Sequence, residues 1–227
     1  MKYIHKYLDK DSKILDVGAG TGAYSIPLSK EGYDVTAIEL IKHNLMTLKG
    51  KKTSVKAYLG NSIHLSMFPD KSFDMVLLFG PMYHLISKKD KIKSLKEAKR
   101  VLKDTGVILV SYYMNEYAII KHGFIENTIK DDIQNNLVDD AFHITPKKDD
   151  LYSYIRLEDI DELNNIVNLK RVKILAQDGP SDYIRQILNK MDDETFNLYI
   201  KYHLSTCERK ELLGASSHVL DILKKQS

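Results

Sequence analysis

Lys13-Ile14-Leu15-Asp16-Val17-Gly18-Ala19-Gly20-Thr21-Gly22 is the stretch on which the fold turns. Its first half, Lys13–Val17, is a short apolar run of strand type, and its second half is a three-glycine turn that leads into a helical pattern. Without Cβ atoms the chain can bend sharply and let a ligand approach its backbone, and the helix behind is expected to present free N–H groups. A nucleotide-like ligand suits such a turn. Glu39 closes the next strand-like run, about 20 residues further on, where a carboxylate can accept hydrogen bonds from both ribose hydroxyls. A glycine turn alone is also an ordinary tight connection; the strand before it and the acid in register after it make the pairing specific.

Working outward, apolar runs alternate with amphipathic stretches from residue 13 to residue 112, which implies a parallel sheet. The reading gives strands at Lys13–Val17, Asp34–Ile38, Val55–Leu59, Phe73–Phe79 and Val107–Tyr112. The longest helix, about Lys88–Leu102, places Ile92, Leu95, Ala98 or Lys99, and Leu102 on one stripe, with its lysines as a solvated face. From Met114 to about Tyr154 the rhythm fades into acid-rich stretches with several aromatics, as in an insertion. It returns with a helix at Leu157–Asn168, a sixth parallel strand at Arg171–Ala176 and a turn at Asp178-Gly179-Pro180. Ser181–Lys210 is mostly helical, and Ser217–Lys224 reads as a seventh strand running antiparallel. The expectation is one α/β domain over residues 1–227, with insertions at 113–155 and 178–214. Both lie at the carboxyl edge of the sheet, where ligands bind in open α/β folds, so they are expected to cap a substrate pocket. The alternative is that they are packing elements only.

Composition excludes several classes. The chain has 227 residues, 43% hydrophobic and 29% charged, which rules out disorder and fits one domain with a real core. A net charge of +3, from 34 basic and 31 acidic side chains, is too balanced for a dedicated phosphate-backbone binder. The lone Cys207 cannot form an internal disulfide, and the charged segment Met1–Lys10 lacks a signal peptide's apolar core, so a cytoplasmic location is expected. No apolar run approaches the roughly 20 residues of a membrane span.

Gly18, Gly20 and Ala23 also satisfy the looser dinucleotide pattern, so a nicotinamide-dependent oxidoreductase stays open. Asp16 and Gly22 separate the two readings. The Asp-x-Gly-x-Gly-x-Gly arrangement resembles motif I of the class I S-adenosylmethionine-dependent methyltransferases. Gly60-Asn61-Ser62 resembles that family's adenine loop, with Asn61 where aspartate is commoner, and Phe73–Phe79 resembles its fourth strand. Glu97–Gly106 resembles the helix and turn before the fifth strand, where Asp104-Thr105-Gly106 keeps only the last glycine of the usual Pro-Gly-Gly. The resemblance covers residues 12–112 with specific motifs and 157–224 more loosely.

This resemblance implies a Rossmann-like three-layer sandwich whose mostly parallel seven-stranded sheet ends in an antiparallel strand. It also implies S-adenosylmethionine as cofactor and S-adenosylhomocysteine as product. Gly18, Ala19 and Gly20 would cradle the methionine end, with Asp16 ordering the turn. Glu39 would hold ribose, Asn61 and Ser62 would meet adenine, and Leu40 and Phe79 would join them in binding the cofactor. Gly80-Pro81-Met82-Tyr83-His84-Leu85 would then lie beside the transferring methyl group. There Tyr83 could orient an acceptor or touch the sulfonium, and His84 could act as base; the other reading of both is capping or packing. The family's longer N-terminal helical segment is mostly missing, which implies a more open site or one closed by the later insertions.

His122, His143 and His218 read as surface or packing residues. No metal-ligand spacing is present, and Asp131-Asp132, Asp139-Asp140 and Asp149-Asp150 read as solvated charges. Gly80-Pro81-Met82-Tyr83 differs from the Asn/Asp-Pro-Pro-Tyr/Phe pattern of enzymes acting on planar amines of nucleobases or glutamine, and Cys207 is badly placed for a cytosine-C5 nucleophile. A small-molecule acceptor is therefore favoured over nucleic acid. A noncatalytic S-adenosylmethionine-binding regulator and a tRNA or protein methyltransferase are the alternatives. The acceptor atom and the oligomeric state are not legible.

Overall fold

Buried apolar runs on both sides of the glycine turn become the centre of a sheet. The computed structural model describes residues 1–226. The strands are β1 Lys13–Val17, β2 Asp34–Glu39, β3 Lys56–Leu59, β4 Phe73–Leu78, β5 Leu102–Met114, β6 Tyr154–Ile155, β7 Leu169–Ala176 and β8 His218–Lys225. They form one sheet in the order β3-β2-β1-β4-β5-β8-β7, with β6 paired to the end of β5. β8 runs antiparallel to both of its neighbours, and the other pairings are parallel. The expected seven strands and their directions are thus present. The two-residue β6, paired with Tyr113 and Met114, is an addition too short to show as alternation.

The helices among the described residues are α1 Lys2–His5, α2 Ser25–Lys30, α3 Lys42–Gly50, α4 Pro81–His84, α5 Lys88–Val101, α6 Asn115–Ala118, α7 Ile129–Gln134, α8 Leu157–Val167, α9 Arg185–Leu188 and α10 Asp193–Thr206. A π-helical turn, Ile119–Ile125, continues α6. Helices cover both faces of the sheet, which is why its central strands read as near-continuous apolar runs. Side chains alternate across each strand. Leu15, Val17, Val76, Leu78, Ile108 and Val110 pack with Leu95 and Ala98 of α5 and Ile160 and Leu163 of α8. Ile14, Met75, Leu77, Leu109 and Ile222 pack on the opposite face with Ile4 of α1 and Leu28 of α2. Each fully buried Leu or Ile there contributes roughly 1.5–3 kcal/mol.

Helix α5 departs from its expected stripe. Its buried positions are Lys91, Ser94, Leu95, Ala98 and Val101, so the apolar face is rotated toward Lys91 and one lysine of the supposed solvated face is inside. Lys99 is also engaged, donating to the carbonyls of Val167 and Asn168 at the end of α8.

From β1 the chain adds β2 and β3 on one side, then returns to place β4 on the other. The strand order reverses there, which opens a crevice beyond the carboxyl ends of β1 and β4. The segments 113–155 and 178–214 both leave the sheet at this edge, as Tyr113↔His218 and Ala176↔Val219 pairings require.

Candidate active site

The glycine turn meets the loop after β4 at the crevice. Gly18 has φ +77°, and a Cβ on it would lie 2.9 Å from Cδ of Pro81, so the close approach of the two loops needs glycine. Gly20 has φ +56°, and nothing lies within 4 Å of where its Cβ would be. That side of the turn faces open space.

Free N–H groups are expected of the helix behind the turn; the first amides of the turn itself are engaged within the fold. Gly18 and Ala19 both donate to the Ile38 carbonyl, at 2.8 and 3.1 Å, and Gly22 donates to Ala19 at 2.9 Å. Gly20 donates to Glu39 Oε2 at 2.8 Å. The carboxyl end of β2 lies against the turn and takes the N–H groups of Gly18, Ala19 and Gly20, and α2 starts only at Ser25. Among the described residues no hydrogen bond reaches the carbonyls of Gly18 and Gly20. From Gly18 to Gly20 the turn therefore offers acceptors and not donors.

A cavity of about 640 Å³ fills the crevice, within the range of small-molecule sites. Of the residues expected at the site, Gly18, Gly20, Glu39, Leu40, Asn61, Ser62, Tyr83 and His84 line it. Asp16, Ala19 and Phe79 are not brought to its wall. Ala19 packs with Ala37, Leu45 and Leu48. Asp16 and Phe79 lie beneath the crevice because strand alternation turns Asp16 and Leu77 to the α1–α2 face. Phe79 meets Tyr24 edge-on at 4.6 Å and lines a separate cavity of about 150 Å³ with Tyr3 and Cys207. Asp16 is buried and accepts from Ser25 Oγ. Burial pushes its carboxyl up to about 6, against the Ser25 hydrogen bonds and with a further push from the charge of Glu39.

Glu39 is itself buried, accepting from Gly20 through Oε2 and from Ile41 N–H through Oε1 at 2.7 Å. Each oxygen keeps lone-pair capacity for a second donor. Asp149 and Asp150 are exposed, as expected of solvated charges, and also border the cavity. No Lys or Arg among the described residues lines the cavity. Its charged groups are three carboxylates.

The segment between β5 and β6 is tied to α4. Ser153 N–H donates to the Tyr83 carbonyl at 2.8 Å, and His84 Nδ1–H donates to the Leu151 carbonyl at 3.0 Å. Buried Lys91 donates to Ser153 Oγ at 2.7 Å and to the Leu85 carbonyl, bridging the two segments. Burial pushes its ammonium down to about 8, partly offset by Asp159.

Beside the cavity, Tyr83 belongs to an aromatic cluster at the carboxyl edge. Its ring centroid lies 6.1 Å from Tyr113, 6.2 Å from Tyr152 and 5.5 Å from His218. Burial pushes the Tyr83 phenol above its ordinary range, with Tyr152 adding to the effect. His218, read from the sequence as a packing or surface residue, stacks on Tyr113 at 4.5 Å and 8° and pairs through Nδ1 with Asp178 Oδ2 at 2.8 Å. The turn at Asp178 and the start of the last strand were both legible. Their meeting follows from the β7–β8 register, which pairs Ala176 with Val219. Among the described residues no group of three or more His, Cys, Asp or Glu is placed to hold a metal ion, and no helix is long and apolar enough to cross a membrane.

Residues 15–110 match the sequence profile of the methyltransferase domain family. The chain is 31% identical over 102 residues to the ubiquinone biosynthesis O-methyltransferase of Rickettsia typhi, covering 44% of this chain and 40% of that protein. It is 30% identical over 141 residues to the ubiquinone/menaquinone biosynthesis C-methyltransferase UbiE of Rickettsia massiliae, covering 57% and 54%. The chain thus spans about half, or less, of the length of these curated relatives. A SAM-dependent methyltransferase from Methanosarcina mazei superposes with a TM-score of 0.67 at 18% identity, over 99% of this chain and 97% of that one. The CcbJ methyltransferase of Streptomyces caelestis does so at 0.65 and 15%, over 100% and 88%. The cyclase SpnF shares the fold at 0.63 and 14%, over 99% and 79%. The fold is that of the class I SAM-dependent methyltransferases.

Proposed function

We propose that this protein binds S-adenosylmethionine in the 640 Å³ cavity and transfers its methyl group to a small-molecule acceptor, releasing S-adenosylhomocysteine. The observation that carries the reading is electrostatic. A cavity walled by Glu39, Asp149 and Asp150 with no Lys or Arg, ending at a turn whose first amides are already bonded, suits a sulfonium and an ammonium. It repels the pyrophosphate of a dinucleotide, which asks for free N–H groups or cations.

The donor set fits the cofactor. Glu39 has the spare acceptor capacity for ribose hydroxyls, with Leu40 alongside. Asn61 Oδ1, which accepts from Ile63 N–H at 3.2 Å, retains a lone pair for the adenine amine, and buried Ser62 flanks it. The unbonded carbonyls of Gly18 and Gly20 suit the ammonium end. Asp16 supports the turn from below through Ser25, Ala19 anchors it in the core, and Phe79 braces the end of β4 against Tyr24.

Bound S-adenosylmethionine supplies a methyl group already activated on a sulfonium, so the chain's task is to align the acceptor and exclude water. Tyr83 presents its ring to the reacting side. His84 holds Leu151 of the cap over the cavity, and Lys91 holds Ser153 beside it. The segments 113–155 and 178–214 cap the acceptor side as parts of one domain over residues 1–227. The relatives named for O- and C-methylation in quinone biosynthesis favour a small, ring-bearing acceptor. Cytoplasmic action suits a chain whose lone cysteine, Cys207, is buried and free.

Thermal shift with S-adenosylmethionine and with NAD tests the reading: the first should raise the melting temperature and the second should leave it unchanged. The opposite ranking would replace the transferase by an oxidoreductase. Because SpnF shows the fold serving a cyclase, release of labelled methyl into a metabolite extract is the necessary second measurement.

A further inference from the structure

We propose that His218, held by Asp178, is the general base of the transfer, and that the acceptor is a small ring-bearing molecule whose nucleophilic oxygen or nitrogen must lose a proton. The inference rests on the reading of the cavity as the S-adenosylmethionine site. Asp178 Oδ2 accepts from His218 Nδ1 at 2.8 Å, from the His218 backbone N–H at 2.9 Å and from Ser217 Oγ at 2.7 Å. Burial works against ionisation of Asp178, but these bonds hold its carboxyl below the usual range. An ionised carboxylate only accepts, so the proton of the neutral imidazole sits on Nδ1 and the lone pair on Nε2. Among the described residues Nε2 has no hydrogen-bond partner.

The imidazole does not line the cofactor cavity but stands part-exposed behind Tyr83. It lies 5.5 Å from Tyr83, whose hydroxyl reaches within 4.0 Å of where a Cβ on Gly80 would be, and that same point is 3.5 Å from the Gly18 carbonyl. One aromatic ring therefore separates the imidazole from the glycine turn. Stacking on Tyr113 at 4.5 Å lets a ring face stabilise the imidazolium that forms. In the step, the acceptor's O–H or N–H proton passes to Nε2. The acceptor's electron pair forms the bond to the methyl carbon as the carbon–sulfur bond breaks, its pair remaining on sulfur. The imidazolium then releases its proton to solvent.

The phenols that surround the imidazole stay protonated in the neutral range. Tyr113 from β5, Tyr83 from α4, Tyr24 before α2 and Tyr117 from α6 are pushed above the ordinary phenol value, chiefly by burial. Tyr152 from the cap also faces the cluster. Asp182 accepts from Tyr117 and Arg185 and, although burial opposes it, is held below the usual carboxylate range. His84 is the other imidazole nearby, but its Nδ1 serves the Leu151 carbonyl and no carboxylate.

The test combines spectroscopy with kinetics on the full chain. Nitrogen-15 histidine spectra should show neutral His218, assigned by its loss in His218→Gln, as the Nδ1–H tautomer, and Asp178→Asn should abolish that preference. Calorimetry with S-adenosylmethionine should give His218→Gln an affinity within about threefold of wild type, whereas failure of the cavity reading would abolish wild-type binding itself. Labelled methyl transfer should occur to catechol, a proton-bearing oxygen, or to benzylamine, a proton-bearing nitrogen, and the responding arm identifies the acceptor atom. Its rate should fall about a hundredfold or more in His218→Gln at neutral pH, with the acidic limb of the pH profile lost. The Nε2–H tautomer, an acidic limb that survives in His218→Gln and vanishes in His84→Gln, or transfer to neither acceptor would each overturn the proposal.

Discussion

Asp16 and Glu39 show how two carboxylates near one turn come to do different things. Glu39 sits at the cavity wall with backbone donors on both oxygens, whereas Asp16 lies underneath with Ser25 as its side-chain partner. Because burial raises the Asp16 carboxyl from 3.8 to about 6, the unfolded chain gives up this proton first as pH rises. Stability is therefore lost between those two values, and the cost is fully present above them. Asp16→Asn should make the unliganded protein more stable at pH 7.5 by about 1–3 kcal/mol, with the gain shrinking to nothing near pH 4. Denaturant melts of both proteins across that range check it; a gain that grows as pH falls would contradict the assignment.

Loops and helices carry what single residues cannot. Gly18→Ala places a side chain at φ +77° against Pro81, so it should cost about 1–2 kcal/mol or more and push apart the loops after β1 and β4. Chemical denaturation reads the cost, and an unaltered midpoint would show that the loops yield freely. On α5, Lys91 has its ammonium lowered from 10.5 to about 8 by burial, so the folded protein releases this proton before the unfolded chain does. Wild-type stability should thus gain from this group as pH climbs from 8 to 10.5. Lys91→Met should remove that gain and speed hydrogen exchange at 151–153, where the lysine bridges to the cap. Exchange there at the wild-type rate would leave the bridge without a role. The strands, their directions and the glycine–acid pair were legible because they follow local periodicity and turn chemistry. Lys91 was hidden because a helix of many lysines does not reveal which one faces inward. The place of Asp149 and Asp150 at the cavity, and the engagement of the turn's first amides, lay beyond the sequence for another reason: each depends on which distant segment, the cap or the end of β2, lies against the turn. Phe79 was misjudged at the level of facing, since period-two alternation counted from Met75 and Leu77 already turns it away from the crevice.

Across the whole molecule, the strand-order reversal brings four loops to one edge: the turn after β1, the end of β2, the β4–α4 junction and the cap. Their summed charge at the cavity is negative although the chain as a whole carries +3, so the local arrangement and not the total sets the ligand. Calorimetric titration of S-adenosylmethionine into the wild-type protein and into Glu39→Gln tests this most directly. Saturable one-to-one binding is expected for the wild type, with a loss of about 1.5–3 kcal/mol, roughly 10- to 150-fold in Kd, in the variant. No heat from the wild type, or an equal affinity in the two proteins, would contradict it.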